Sequence, residues 1–172
     1  MKSLALAALL ALALQIPVAH AAVPAERVLE TQVVIAAPVG DLWKALTDGE
    51  AYRKWAGGPA AVDLRIGGSF EASYDAKGHI GDPGNLRHRI IAYVPERLIV
   101  FQNVQAPGLP DEALYRGMTI VVRYEPLGPQ STRVVVDHIG FGQGAGYDRL
   151  YAFFQKGDAG MLEAMKAAYE KR

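Results

Sequence analysis

The sequence predicts an α+β fold, in which a curved antiparallel sheet of six or seven strands wraps on one long C-terminal helix. Three observations support this class. Segments of alternating apolar and polar residues follow one another with only short turns between them, which excludes parallel crossovers. Two short helical patterns follow the first strand. Residues 146–172 carry a long apolar stripe of helical period, and such a stripe must pack against the sheet.

Alternation and β-branched residues mark the strands. The predicted strands cover residues 31–36, 62–66, 70–75, 87–94, 97–103, 118–125 and 132–139. On the third of them, Phe70, Ala72 and Tyr74 share one face because side chains alternate along a strand. Segment 77–85, rich in glycine and proline, and segment 105–117 are predicted to be irregular loops.

The helices are read from apolar spacing. Residues 41–47 and 50–55 form the two short helices, and Leu42, Trp43 and Leu46 lie on one face of the first. In the long helix the stripe is interrupted at Asp158. Gly157 and Gly160 lie inside this helix, and each disfavours it by about 1 kcal/mol relative to alanine. Packing against the sheet must therefore hold the helix together.

The first 21 residues read as a secretory signal peptide. A basic start at Lys2 precedes the leucine and alanine run of residues 4–14, and Ala19 and Ala21 lie where a signal peptidase cleaves. The run is shorter than the roughly 20 apolar residues that span a membrane. We therefore expect residues 22–172 to form one mature domain, periplasmic or secreted, with no stable membrane anchor.

Composition excludes several function classes. The chain has 172 residues, with 18 basic and 18 acidic side chains and no cysteine. The lack of cysteine removes disulfide scaffolds, thiolate metal sites and a cysteine nucleophile. Balanced charge without a basic run argues against binding nucleic acid.

Residues 140–145 match a dinucleotide-binding fingerprint, Gly-x-Gly-x-x-Ala, between a predicted strand and a helix. The fingerprint requires a second parallel strand after that helix, with an acidic residue about 20 positions on. The sequence places no such strand there. The glycines are better explained as a flexible connection from strand to helix.

Several segments together resemble a known family. They are residues 33–38 (Val-Val-Ile-Ala-Ala-Pro), 42–48 (Leu-Trp-Lys-Ala-Leu-Thr-Asp), 54–55 (Lys-Trp), 65–70 (Arg-Ile-Gly-Gly-Ser-Phe), 95–98 (Pro-Glu-Arg-Leu), 125–127 (Glu-Pro-Leu) and 138–141 (His-Ile-Gly-Phe). In order and spacing they resemble the activator-of-heat-shock-protein-ATPase-like group of the START-like, polyketide-cyclase-like (SRPBCC) superfamily. The resemblance implies a helix-grip fold, with two short helices after the first strand and a ligand cavity between the sheet and the C-terminal helix. Segments 77–85 and 105–117 depart from the family pattern and would border the cavity mouth.

The resemblance also directs attention to one set of interior residues. Aromatic and methionine side chains suit an adaptable apolar pocket, and tyrosines add hydroxyl groups that orient a ligand. Each of these residues would serve equally well as ordinary core. The candidate ligand-binding residues are Trp55, Phe70, Tyr74, Ile120, Val122, His138, Tyr147, Tyr151, Phe154 and Met161.

Catalytic signals are weaker. His79, His88 and His138 have no partner at metal-binding spacing, so no metal or cofactor is expected. His138, in phase with Val134 and Val136, could face the interior as an acid or base, or be a hydrogen-bonded core histidine. No Gly-x-Ser-x-Gly nucleophile motif is present.

The sequence favours an exported protein that binds a small apolar or amphipathic molecule. Two alternatives remain open. One is a cyclase-like or hydrolase-like enzyme that uses His138 or a cavity tyrosine. The other is a chaperone-associated module, as the family name suggests, although export would separate it from a cytosolic ATPase. The sequence leaves the oligomeric state undetermined.

Overall fold

The computed structural model describes residues 27–170, so the predicted signal peptide lies outside the described residues. Seven strands form one antiparallel sheet in the order β1-β7-β6-β5-β4-β3-β2. The strands are β1 (Arg27–Ile35), β2 (Ala60–Val62), β3 (Ser69–Ala72), β4 (Leu86–Val94), β5 (Leu98–Gln105), β6 (Thr119–Gly128) and β7 (Ser131–Phe141). The helices are α1 (Val39–Thr47), α2 (Gly49–Ala56), α3 (Glu112–Tyr115) and α4 (Ala145–Glu170). The predicted helix-grip fold is confirmed.

The two short helices begin and end where local chemistry dictates. α1 follows Pro38, whose fixed φ suits the residue before a first turn. The side chain of Asp48 caps α2 by accepting a hydrogen bond of 2.8 Å from the Ala51 amide. Gly57, at φ +85°, then ends α2 in a conformation that only glycine adopts easily.

The core lies between the concave face of the sheet and the helices. One cluster contains Leu42 and Trp43 of α1, strand residues such as Ile99, and Leu162 and Met165 of α4. A second, smaller cluster lies at the N-terminal end of α4. Its buried members are Leu29, Tyr115, Met118, Phe141, Leu150 and Phe154.

Three local predictions are wrong. The strand predicted at 62–66 ends at Val62, because the chain turns through residues 63–68 and leaves Ile66 70% exposed. The strand that contains Phe70 ends at Ala72, so Tyr74 does not share its face and is 82% exposed. The loop predicted at 105–117 contains the short helix α3. In the first two cases, alternation in the sequence did not show where strand pairing ends. In the third, the loop-like composition did not reveal the short helix.

The long helix is continuous from Ala145 to Glu170, through the interruption that the sequence showed at Asp158. Asp158 is buried, and this placement explains why a carboxylate stands in the apolar stripe. The glycines of the rejected dinucleotide motif connect an antiparallel strand to α4, so they do not form the crossover that the motif requires.

Candidate ligand-binding cavity

A cavity of about 610 Å³ lies between the concave face of the sheet and α4. Its walls come from β3 to β7, from α2, from the α4 segment between Phe153 and Met165, and from the loop of residues 106–109. Most of the wall is apolar. The sequence did not distinguish a cavity from a solid core at these positions. In the described part of the chain, a cavity is present there.

Strand alternation and register place the sheet side of the wall. Val134, Val136 and His138 point inward from β7. Ile120 and Val122 on β6 stand opposite His138 and Val136 in the antiparallel register. On β3 and β4, Phe70 stands opposite His88. These two residues continue the inward-facing row toward the edge strand β2.

One face of α4 supplies the helix side. Phe154, Asp158, Met161 and Met165 recur at intervals of three or four residues, which places them along one stripe. Gly157 also lines the cavity, and a Cβ built there would meet no atom within 4 Å. The glycine thus leaves space that a larger side chain would fill.

A run of rings crosses the interior. The Phe70 ring lies 5.8 Å from His88, and His88 lies 6.2 Å from Tyr115. Tyr115 in turn stacks on Phe154 at 5.7 Å, and Phe154 stacks on His138 at 4.1 Å. Such contacts fix the ring orientations, so the polar atoms of both histidines have defined positions.

His138 on β7 pairs with Asp158 on α4 in the cavity wall. Its Nε2 lies 3.0 Å from the Asp158 Oδ2, and the two residues are only 2% and 6% exposed. The contact lacks the alignment of a hydrogen bond, so Asp158 Oδ2 is a buried polar atom without a hydrogen-bond partner. His138 Nδ1, the other ring nitrogen, is also buried and has no such partner. No local pattern indicates this pairing, because the two residues belong to different elements.

His88 is the second cavity histidine and is 6% exposed. Burial and the nearby His138 lower the pKa of His88 to about 3. The Asn103 side chain acts in the opposite direction and raises this pKa by a smaller amount. His88 is therefore neutral at physiological pH. Its Nδ1 has no hydrogen-bond partner.

The cavity mouth is bordered by the two loops that depart from the family pattern. Exposed Tyr74 and half-exposed Phe153 lie there with Gly84 and Pro107. The segment 77–85 is tied to β3 through Glu71, whose Oε1 accepts hydrogen bonds of 2.6 Å from the Gly81 amide and from Asn85 Nδ2. This carboxylate therefore holds one side of the mouth.

Eight of the ten residues predicted from the sequence line this cavity: Trp55, Phe70, Tyr74, Ile120, Val122, His138, Phe154 and Met161. Tyr147 and Tyr151 do not. They lie on the first turns of α4 and pack on the second cluster, where the Tyr151 ring is 5.2 Å from Phe141. The helical phase of these tyrosines was right, but the cavity begins further along the helix.

Sequence reasoning missed several wall residues. His88 could have been found, because it alternates in phase with buried Ile90 on β4. Asp158 was recognised only as an interruption of the stripe. Tyr115 had no signal, since α3 lies in a segment that was predicted to be irregular.

Within residues 27–170, no group of three or more histidine or acidic side chains is arranged to hold a metal ion. In the same residues, no helix combines the length and apolarity needed to cross a bilayer.

An α+β helix-grip domain with such an apolar cavity is a START-like domain. Residues 36–170 match the family model described as activator of Hsp90 ATPase homolog 1-like protein. The chain belongs to this family. No curated protein matches the sequence.

Solved structures with the same fold include the Aha1 dimer from Colwellia psychrerythraea, at 17% identity and a TM-score of 0.65, covering 84% of this chain and 96% of that one. Protein MLL2253 from Mesorhizobium loti has 19% identity and a TM-score of 0.66, with coverage of 84% and 98%. The Zhui aromatase/cyclase from Streptomyces sp. R1128 has 19% identity and a TM-score of 0.61, with coverage of 86% and 95%. These likenesses show the shared fold.

Proposed function

We propose that this protein binds one small apolar or amphipathic molecule in the cavity between the sheet and α4. The observation that carries the proposal is the cavity itself. Its volume of about 610 Å³ falls in the range of about 300–1,000 Å³ that is usual for ligand sites. Its wall is apolar, with a few polar groups that could orient a guest.

A pair of glycines in α4 offers a direct test. Gly157 lines the cavity and Gly160 does not, while a Cβ at either position meets no atom within 4 Å. Gly157→Leu should therefore fill space at the wall, and Gly160→Leu serves as the matched control. Both changes remove a glycine that disfavours the helix, so neither should unfold the protein.

The measurement is native mass spectrometry of protein purified from its own host, followed by a thermal-shift screen of lipids and aromatic compounds. Wild type and Gly160→Leu should retain a bound species or gain stability with a ligand, whereas Gly157→Leu should lose both. The proposal is wrong if wild type shows no bound species and no compound shifts its melting temperature.

We also propose that the protein works in the periplasm or outside the cell. This rests on the signal-peptide pattern of residues 1–21 alone. Fractionation of the host, with N-terminal sequencing of the mature protein, tests it. A mature chain that begins at Ala22 is expected, and a chain that retains residues 1–21 in the cytoplasm would contradict it.

An enzymatic role is the second candidate, and the His138–Asp158 pair favours it. A buried carboxylate beside an imidazole is an arrangement that can accept and return a proton on a bound substrate. The likeness in fold to an aromatase/cyclase is consistent with this candidate. His138→Gln should then abolish turnover, while the apolar wall still holds the substrate, and unchanged turnover would exclude this candidate. A chaperone-associated role has no comparable support among the described residues.

A further inference from the structure

The charges of the cavity wall are few and unequal. Among residues 27–170, its ionisable wall residues are Asp158, His88, His138 and three tyrosines, and no lysine or arginine lines it. Burial raises the pKa of Tyr52 and Tyr115, so these side chains keep their hydroxyl protons. Asp158 is thus the one carboxylate of the wall.

Among the described wall residues, only His138 can supply a positive charge. His88 remains neutral at physiological pH, for the reasons given above. A charge on His138 would face Asp158 at 3.0 Å and be balanced by it. No cation of the wall is therefore left over for an anionic ligand, and a carboxylate in the cavity would lose hydration without gaining a partner.

Unmade hydrogen bonds point to the opposite kind of group. Asp158 Oδ2 and His138 Nδ1 are both buried and make no aligned hydrogen bond. A buried polar atom without a hydrogen bond is unfavourable, so a ligand group that supplies the bond gains affinity. A hydroxyl group can donate one hydrogen bond and accept others without bringing charge, so it suits this combination of atoms.

We propose that the cavity selects neutral ligands with a hydroxyl group on an apolar frame, oriented by Asp158 and His138, and discriminates against carboxylates. This inference rests on the proposed binding function. It defines the ligand as a phenol-like or alcohol-like molecule. Free fatty acids and other carboxylic acids are excluded as preferred ligands.

Three naphthalene probes of similar size test the selectivity at neutral pH. 2-Naphthol is a neutral donor there, 2-methylnaphthalene has no polar group, and 2-naphthoate is ionised. Isothermal titration or fluorescence should rank 2-naphthol tightest, at least about tenfold ahead of 2-methylnaphthalene, since only 2-naphthol can make a hydrogen bond to the buried polar atoms of the wall. 2-Naphthoate should bind most weakly.

Variants separate charge at this site from charge elsewhere. Asp158→Asn removes the carboxylate, so affinity for 2-naphthoate should rise relative to 2-naphthol. Glu163→Gln makes the same charge change at an exposed position of the same helix and should leave that ratio unchanged. If Asp158→Asn does not fold, the double variant Asp158→Asn with His138→Gln keeps an uncharged polar pair and carries the same expectation.

The two proposals fail in different ways. If all three probes bind, and Gly157→Leu weakens them, but 2-naphthoate equals or exceeds 2-naphthol, the selectivity inference is wrong and the binding function stands. An Asp158→Asn ratio that matches the Glu163→Gln ratio would also overturn the inference. If none of the probes binds, the result contradicts the inference and also counts against the binding function.

Discussion

The imidazole of His138 and the carboxylate of Asp158 lie 3.0 Å apart in the cavity wall, where they join β7 to the middle of α4. Twenty positions and a turn of the chain separate the two residues. The pair lies in a largely apolar wall, where taking both groups out of water is unfavourable. Such a pair is a weak source of stability, and its presence beside a cavity therefore suggests a role in recognition or proton transfer.

Stability measurements distinguish a functional from a structural pair. His138→Leu should lower the free energy of unfolding by about 3–5 kcal/mol, because it leaves the Asp158 carboxylate buried without a partner. The double variant His138→Leu with Asp158→Leu should lie much closer to wild type, because it removes both desolvation penalties. Urea denaturation of the three proteins gives the comparison. A double variant as unstable as the single one would mean that the pair is a structural requirement of the fold.

Acid should destabilise the protein through His88. The folded state has a His88 pKa of about 3, whereas an unfolded histidine has a pKa of about 6.5, so between these values the unfolded chain binds the additional proton. The contribution of neutral His88 to the free energy of unfolding is fully present above pH 6.5. It is lost as the pH falls toward 3, with a slope of up to about 1.4 kcal/mol per pH unit.

Denaturation of wild type and His88→Leu at several pH values checks this expectation. The variant should show a shallower loss of stability between pH 6 and pH 4, because the leucine cannot bind a proton. His79→Leu is the control, since His79 lies in an exposed loop. Equal slopes for wild type and His88→Leu would contradict the assignment.

Glu71 should control the order of one side of the cavity mouth. Burial raises the pKa of its carboxyl, but hydrogen bonds from Asn85, the Gly81 amide and Arg87 outweigh burial and hold the pKa below its usual value. Glu71→Gln weakens these charged hydrogen bonds, so amide exchange in residues 78–85 should become faster. Hydrogen exchange with mass spectrometry measures this, with Glu163→Gln as the control. Unchanged protection in 78–85 would show that other contacts hold the loop.

The glycines should separate by their surroundings. Gly157→Ala and Gly160→Ala should each raise the free energy of unfolding by up to about 1 kcal/mol, since both lie in open space within α4. Gly58→Ala should destabilise the protein instead, because its Cβ would collide with the Ser73 carbonyl oxygen. Thermal unfolding of the three variants tests this contrast. A stabilised Gly58→Ala would mean that the backbone at Ser73, just after β3, can move aside.

The fold was predictable because its signals are local. Alternation marked the inward rows of β6 and β7, and the apolar stripe marked the buried face of α4. The wall residues that were predicted on β6, β7 and α4 followed from these two periodicities. The errors fell where pairing ends: at residues 63–66, where a turn replaces the strand, and at Tyr74, just beyond the last residue of β3.

The sequence by itself determined the order of the elements, their inward faces and the long helix on a curved sheet, since residue spacing along one element sets all three. Only the tertiary structure decided that Asp158 meets His138, that His88 is desolvated, and that Tyr147 and Tyr151 pack outside the cavity. The physical reason is that these outcomes depend on how far along the sheet each turn of α4 lies. That position is a property of packing between distant segments, and no local pattern encodes it.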